Sequence, residues 1–409
     1  MSLILTVNGG SSSLKCALFI RYADHDECLY RFRFSNILEK AQVLIRRDKA
    51  FGREASVEKN DLPLSDIPRE ERHQACLKYV MEWIDAQFLD GEISAFGHRV
   101  VHGGETFTAP VLVTDEVMEE LEQLIPLAPL HQPYNLKLIE VCQQLVPSAI
   151  QVASFDTMFH HGHAPEEKYY AIPREYSEAG IHKYGFHGLS YEFINHKLEE
   201  LPEPDKQANT IVCHLGAGAS MCAIKDGKSV ASSMGFTAVE GLPMGTRCGT
   251  IDPGVLLFLQ RHYQLDNDQL ENVLYQQSGW LGVSGESADM LTLRHSDNPH
   301  AQEAIDMFCY RAALEIGRLS AALGGLQQLV FTGGVGENDS YIREQICQRS
   351  AWLGIKINDL ANSNNMASIS TSDSTVSVRV IATNEEAMIA RHTEEVMDWL
   401  AAREEQAAV

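Results

Sequence analysis

The chain has 409 residues, enough for two or three domains with a sizeable core, and its 44% hydrophobic and 22% charged residues are ordinary for a globular protein and argue against a single small module. Thirty-three basic residues stand against 56 acidic ones, a formal charge of −23 spread along the chain, which excludes nucleic-acid backbones as natural partners and obliges any anionic substrate to find a local basic pocket. The nine cysteines form no C-x-x-C pair, there is no basic-then-apolar leader, and no apolar run nears the roughly 20 residues of a membrane helix, so the expectation is a cytoplasmic protein with reduced thiols and no membrane partner.

Residues 3–19, LILTVNGGSSSLKCALF, read as two apolar strands broken by an asparagine, two glycines and three serines. The break is either an ordinary hairpin turn, since Asn and Gly tolerate positive φ, or a phosphate cradle in which backbone N–H groups converge on an anion. It matches neither G-x-x-x-x-G-K-[ST] nor G-x-G-x-x-G. Residues 20–60 read as further strands and loops, and 70–88, with apolar residues every three to four positions, as a helix. A short strand at 93–104, helices at 115–126 and 131–147, and a strand at 150–159 follow.

At 209–230 the pattern begins again: NTIVCHLGAGASMCAIKDGKSV is an apolar run, a Gly/Ala/Ser loop, a second apolar run and a Gly-containing turn. A repeat at domain length suggests duplication, with two similar halves facing a cleft. Residues 297–325 read as a long helix stopped by Gly324 and Gly325. The next segment is a strand running into Gly333-Gly334-Val335-Gly336, with a helix expected to open at Glu337 and a ligand able to approach its start. The strand 376–383 ends at Asn384, and the final helix, with no strand after it, is expected to pack back on an earlier domain; residues 401–409 read as a frayed tail.

Three glycine loops that each follow an apolar strand, NGGSSSLK, HLGAGAS and GGVGEN, carry more weight together than singly. They suit the actin, heat-shock chaperone and sugar-kinase type of fold, in which hairpins of opposed halves grip the phosphates of ATP. Arg99 in FGHRVVHGGE and Arg247 in GLPMGTRCGTIDPG are set among glycine and small residues. Solvated arginine is the ordinary alternative, but a guanidinium in such surroundings is costly unless it meets an anion, and its planar fork suits carboxylate or phosphate. His131 and His187 are equally open to structural roles, and His160, His161 and His163 in FDTMFHHGH raise a zinc site whose spacing matches no strong pattern.

Taken in order, NGGSSSLK, GHRVVHGGE, PLAPLHQPYN, FDTMFH, YGFHGLSY, HLGAGAS, MGTRCGTIDPG, FTGGVGEN and TNEE resemble the acetate kinase family from Leu3 to about Glu395. The resemblance implies an α/β fold of two duplicated RNase H-like (ASKHA, or actin-like ATPase) domains with the active site in the cleft between them, and a homodimer. The N-terminal domain would comprise residues 1–150 with a returning helix at 387–409, and the C-terminal domain residues 151–386. It implies a reversible transfer of the γ-phosphoryl group of ATP to acetate, giving acetyl phosphate and ADP, with Mg²⁺ or, in its place, Mn²⁺. Propionate or butyrate kinases share the motifs, and an actin-like nucleotide-binding protein without transfer activity is the alternative from another class.

Residue by residue, the family pattern implies metal binding at Asn8 and Glu385, and nucleotide contacts at Ser11, Ser12 and Lys15. Arg99 matches the arginine for the substrate carboxylate, and Val101, Leu130 and Phe186 match the acyl pocket. Asp156 is similar to the family's essential aspartate, His187 and Arg247 to the pair that steadies the transferring phosphoryl group, and His131 to a supporting catalytic histidine. Further ATP contacts are implied at His214, Leu215, Gly216, Ala217 and Gly218, at Asp289, Met290 and Leu291, and at Gly334, Val335, Gly336, Glu337 and Asn338. The chain departs from the pattern at Ala217, Cys248, Thr250, Leu291 and Ala238, where Asn, Ser, Asp, Arg and Pro are usual.

Overall fold

The computed structural model describes residues 2–10, 13–22, 26–47, 55–88, 92–202, 205 and 208–407; Ser11 and Ser12, expected to touch ATP, lie outside the described residues. The chain divides into two compact units, Met1–Met158 with Asn384–Val409, and Phe159–Thr383. The boundary falls after Met158 rather than after residue 150, because the strand that begins at Ile150 is hydrogen-bonded into the first sheet.

In unit 1, β1 (Ser2–Gly9), β2 (Leu14–Arg21), β3 (Asp26–Ser35), β4 (Gln42–Arg47) and β5 (Ser56–Asp61) form an antiparallel meander. On the other side of β1 lies β6 (Ile93–Val100) in parallel pairing; β7 (Val111–Leu112) forms the far edge against β8 (Ile150–Phe155), which pairs parallel with β6. The order is 5-4-3-2-1-6-8-7. The near-continuous apolar run of β1 follows from burial on both faces. Leu3, Leu5 and Val7 pack on one side with Cys76, Leu77, Val80 and Ile84 of the helix Arg72–Gln87. Ile4, pointing the opposite way, packs with Ala17, Ala95 and Ala390 of the helix Glu385–Ala407. That helix continues through 401–407, expected as a frayed tail, since AAREEQA consists of helix-favouring residues without a breaker.

In unit 2, β9 (Thr210–Leu215), β10 (Ala219–Lys225) and β11 (Lys228–Ser232) form a second antiparallel meander, with β12 (Gln328–Thr332) parallel to β9 and β13 (Ser377–Val380) parallel to β12. The order 11-10-9-12-13 repeats the 3-2-1-6-8 of unit 1, so the repeat read at 209–230 is a duplicated topology. The β10–β11 turn places Asp226 and Gly227 at φ 51° and 72°, the left-handed pair of a two-residue hairpin. The helix Pro299–Leu323 is capped by the Asn298 side chain and ended by Gly324 at φ 73°. After β12 the helix opens at once, Gly333–Asn338, earlier than the expected Glu337. Asp339 breaks it and starts a second helix, Ser340–Arg349, by accepting from the N–H groups of Tyr341 and Ile342.

The return of the C-terminal helix depends on the absence of a side chain at Gly97 of β6. A Cβ there would lie 2.6 Å from Cγ2 of Ile389 and collide with the Thr393 hydroxyl. Overpacking of this kind costs about 1–3 kcal/mol. Gly97→Ala is expected to lower the urea midpoint accordingly and to speed proteolysis within 385–407; an unchanged midpoint would contradict this packing.

Candidate active site

Parallel pairing of β1, β6 and β8 brings their carboxyl ends to one edge of the unit 1 sheet, where ligands of open α/β sheets gather. Asn8 stands at the end of β1, Arg99 at the end of β6 and Asp156 just beyond β8. Arg99 donates from Nε to Oδ1 of Asp156 at 2.9 Å and from Nη2 to Oδ2 at 2.6 Å, a bidentate and largely buried pair. Burial by itself lowers the basicity of this guanidinium, but Asp156, with help from Glu385 and Glu386, raises it above the ordinary value. Its Nη1 donates toward Oδ1 of Asn8 at 3.4 Å and the Gly9 carbonyl at 3.5 Å. Asn8 in turn donates from Nδ2 to Oε2 of Glu385 at 2.9 Å and Oε1 of Glu386 at 3.3 Å, and Lys15 approaches the latter atom at 4.0 Å. Asn135 ties two of the strand ends together, donating to the Gly9 carbonyl and accepting from the Val101 N–H.

Unit 2 gathers a different set at the corresponding edge. His187, at the start of the helix Gly188–Glu199, is held through Nδ1 by the Ser220 hydroxyl at 2.8 Å, and Ser220 also bonds the Tyr191 hydroxyl. The His187 ring stacks on His214 with centroids 4.4 Å apart, and His214 is fixed through Nδ1 by Ser190. Arg247 donates from Nη1 to the Ala238 carbonyl at 3.0 Å. A Cβ built on Gly218 would sit 3.5 Å from Nε2 of His187 and 4.0 Å from Nη2 of Arg247. The space beside this glycine is therefore the point where an imidazole and a guanidinium converge on the β9–β10 loop. Across that loop, a Cβ on Gly216 would lie 3.9 Å from the Gly334 N–H, so the second and third glycine loops face each other.

A cavity of about 490 Å³ opens beside these loops. Gly216, Ala217, Asp289, Met290, Leu291, Gly334, Val335 and Asn338, all implied as ATP contacts by the resemblance, line it. Asp289 acts as a cap, accepting from the Thr292 N–H and hydroxyl at 2.8 Å each, which leaves Leu291 65% exposed. Sequence reasoning missed the far wall of Arg294, His295, Asp339, Ser340 and Tyr341. Arg294 lies one helical turn after the leucine that replaces the usual arginine; its guanidinium rests 3.6 Å from the Tyr341 ring centroid, and its Nε is 3.6 Å from Asp339. The signal was present in the spacing 291 to 294, but only the fold places Tyr341 beneath it.

Other residues expected to contact nucleotide have protein partners or are buried in this structure. Glu337 accepts from the N–H groups of Gly333 and Thr383 at 2.9 and 3.1 Å, and Leu215 and Gly336 are buried behind the loop. Val101, buried, and Leu130 and His131, half-buried, belong to unit 1, whereas the buried Phe186 belongs to unit 2.

Residues 3–391 match the model of the acetokinase family. The chain belongs to the acetokinase family. It is 43% identical over 407 residues to an acetate kinase of Methylocella silvestris, covering 98% of this chain and 99% of that one. A propionate kinase of Francisella tularensis superposes with a TM-score of 0.85 at 35% identity, and an acetate kinase of Porphyromonas gingivalis with 0.81 at 35%; each alignment covers 97% of this chain and all of the other. Members of this family are kinases with a carboxylate acceptor and ATP or ADP as co-substrate, and so is this chain.

In this acetokinase burial lowers the basicity of His73, His98, His160 and His163 and so couples their titration to folding. Desolvation holds His98 and His160 down at about 4 and His163 at about 3. The unfolded chain titrates near 6.5, so it binds more protons than the folded one below that pH. The stability is therefore complete above pH ~6.5 and lost as the pH falls through 6.5 toward 4, by up to about 1.4 kcal/mol per pH unit for each ring. The urea midpoint is expected to fall between pH 7 and pH 5, and less steeply in His163→Gln; equal slopes for the two proteins would count against this origin.

Proposed function

We propose that the chain transfers the γ-phosphoryl group of ATP reversibly to acetate, with Mg²⁺, forming acetyl phosphate and ADP. The observation that carries this reading is the convergence of Nε2 of His187 and Nη2 of Arg247 beside Gly218, on a loop whose backbone N–H groups suit an anion. Acetate is ionised at neutral pH and attacks phosphorus without a base. What remains is alignment and charge neutralisation, which dominate phosphoryl transfer. On this reading Arg247 and His187 meet the equatorial oxygens, while the cavity lined by Asp289 and Val335 takes the nucleoside. Arg99 has its Nε/Nη2 edge committed to Asp156 and its Nη1 turned at long range to Asn8 and Gly9, so a carboxylate would take the second Nη2 hydrogen and compete for Nη1. Asp156 thus orients Arg99.

The carboxylate oxygens of Glu385 and Glu386 are hard donors of the kind Mg²⁺ takes, and the Asn8 amide beside them, whose oxygen faces Arg99 here, could join them by turning over. Among the described residues no group of three His, Cys, Asp or Glu is placed to hold a metal ion. Asn8 and Glu385 would hold Mg²⁺ there, and the ion would supply neutralisation of the phosphate charge. Propionate is the second reading, supported by the Francisella tularensis propionate kinase and by the small Ala238, whose carbonyl anchors Arg247. One methylene is worth only about 1–3 kcal/mol of discrimination.

Hydroxamate trapping with ATP, Mg²⁺ and a panel of acetate, propionate and butyrate tests the reaction. The highest kcat/KM is expected for acetate, and a preference for propionate above about tenfold would move the assignment. Arg247→Ala is expected to lower kcat by about a hundredfold or more while ADP affinity stays within a few-fold; comparable loss in both would remove its transition-state role.

The reading includes a cytoplasmic homodimer. Free thiols at all nine cysteines suit a reducing compartment. The helix Pro253–Tyr263 has no buried residue and exposes Leu257 and Phe258 at 50% and 57%, a surface suited to a second copy. Light scattering should give twice the chain mass and Leu257→Glu/Phe258→Glu a lighter species; a monomeric parent protein would refute it.

A further inference from the structure

The turn that presents His187 runs through unusual backbone. His187 has φ 58°, a left-handed conformation that residues with side chains seldom adopt, and Gly185 has φ 77°. Such a conformation persists only where the surroundings over-determine it. Here the N–H groups of Tyr184 and Gly185 both donate to the Gly235 carbonyl, at 3.0 and 3.2 Å, and the Phe186 carbonyl accepts from Nε2 of His160 at 2.9 Å. A Cβ on Gly185 would lie 2.7 Å from the His160 ring, so the chain rests directly on that imidazole.

Neighbours dictate the protons of this buried group. A carbonyl only accepts, so Nε2 of His160 carries hydrogen and Nδ1 of the neutral ring is an acceptor. The Ser229 hydroxyl, 2.8 Å from Nδ1, must then donate to it. Its lone pairs take the Nε2–H of His163 at 2.7 Å and the Cys222 thiol at 3.2 Å. Both nitrogens of His160 and Nε2 of His163 are engaged in this way, and among the described residues no three His, Cys, Asp or Glu are grouped to hold a metal, so nothing supports the zinc alternative raised by the sequence. The His160 ring also lies edge-on to Tyr191, 5.6 Å away, the residue that with Ser220 holds the other side of His187.

We propose that His160, set by Ser229 and His163, is a positioning residue for His187: its bond to the Phe186 carbonyl holds the left-handed turn that aims the catalytic imidazole at the phosphate loop. This rests on the reading of His187 as a group that meets the transferring phosphoryl.

A double-mutant cycle on the full chain tests it, using His160→Leu, which removes the donor, His160→Gln, which keeps an N–H, and each in a His187→Ala background. His160→Leu is expected to lower kcat about tenfold with KM for ATP within about twofold, His160→Gln to recover most of the loss, and His160→Leu to change kcat less than about twofold once His187 is gone. An equal loss in both backgrounds, or no loss in either while His187→Ala is itself impaired, overturns the proposal. If His160→Leu does not fold, Ser229→Ala carries the same cycle, with a loss of about threefold expected only where His187 is present. If His187→Ala keeps full activity, the catalytic reading of His187 fails, and the ring signals of His187 in NMR spectra decide the positioning alone. A shift in His160→Leu but not in His160→Gln supports it; unmoved signals in both refute it.

Discussion

A charge taken out of water has to be answered by a partner of matching geometry, and in unit 1 the Arg99–Asp156 pair is that answer. Removing one member of such a pair strands the other, at a cost of about 3–5 kcal/mol, so the edge of the sheet is built around keeping both. The pair exists because β6 and β8 run parallel and end together. Once it is formed, the free side of the guanidinium orients the Asn8 amide, and Asn8 hands its own N–H to Glu385 and Glu386 at the first turn of the C-terminal helix. That helix reaches the site only because Gly97 lets it lie on β6. Packing at the back of the sheet and chemistry at its edge are in this sense one constraint.

Unit 2 reaches a comparable end by leaving side chains out. Gly216, Gly218 and Gly334 leave the loop backbone bare: a Cβ on Gly216 would press on the Gly218 carbonyl at 3.2 Å, and one on Gly218 would fill the space beside His187 and Arg247. Loops without side chains need support from behind. Arg343, fully buried, donates from Nη1 to the Gly336 carbonyl at 2.9 Å and from Nε and Nη2 to Asn362, binding the third loop to the helices beneath it. Glu337 does the same from the other side through the N–H groups of Gly333 and Thr383. Desolvation lowers the basicity of Arg343, in contrast to Arg99, which has a carboxylate within reach.

The glycine loops were legible because a strand followed by Gly and Ser has few structural uses, and the duplication because the same strand-loop-strand pattern recurs with the same pairing order. Asn8, Arg99, Asp156 and Glu385, scattered over nearly the whole chain, do meet at one edge. Other residues kept their identity and changed their apparent task. The family resemblance implied a nucleotide contact for Glu337, yet a carboxylate four residues after Gly333 also reaches back to satisfy an N–H of the helix's first turn. His160 looked like a metal ligand or a bystander, since nothing local to FDTMFHHGH reveals that Ser229 and the Phe186 carbonyl flank it.

Local order in the sequence determined which segments become strands and helices, where the chain turns, and which loops stay bare enough to approach a phosphate, because these depend on periodicity and on the backbone freedom of single residues. Tertiary structure decided what each polar side chain faces: that Arg99 spends half its fork on Asp156, that Arg294 lies on Tyr341, and that the turn leading into a left-handed His187 rests on the buried His160. Hydrogen bonds and ion pairs act over about 3 Å in space, and separation along the chain carries almost no information about that distance.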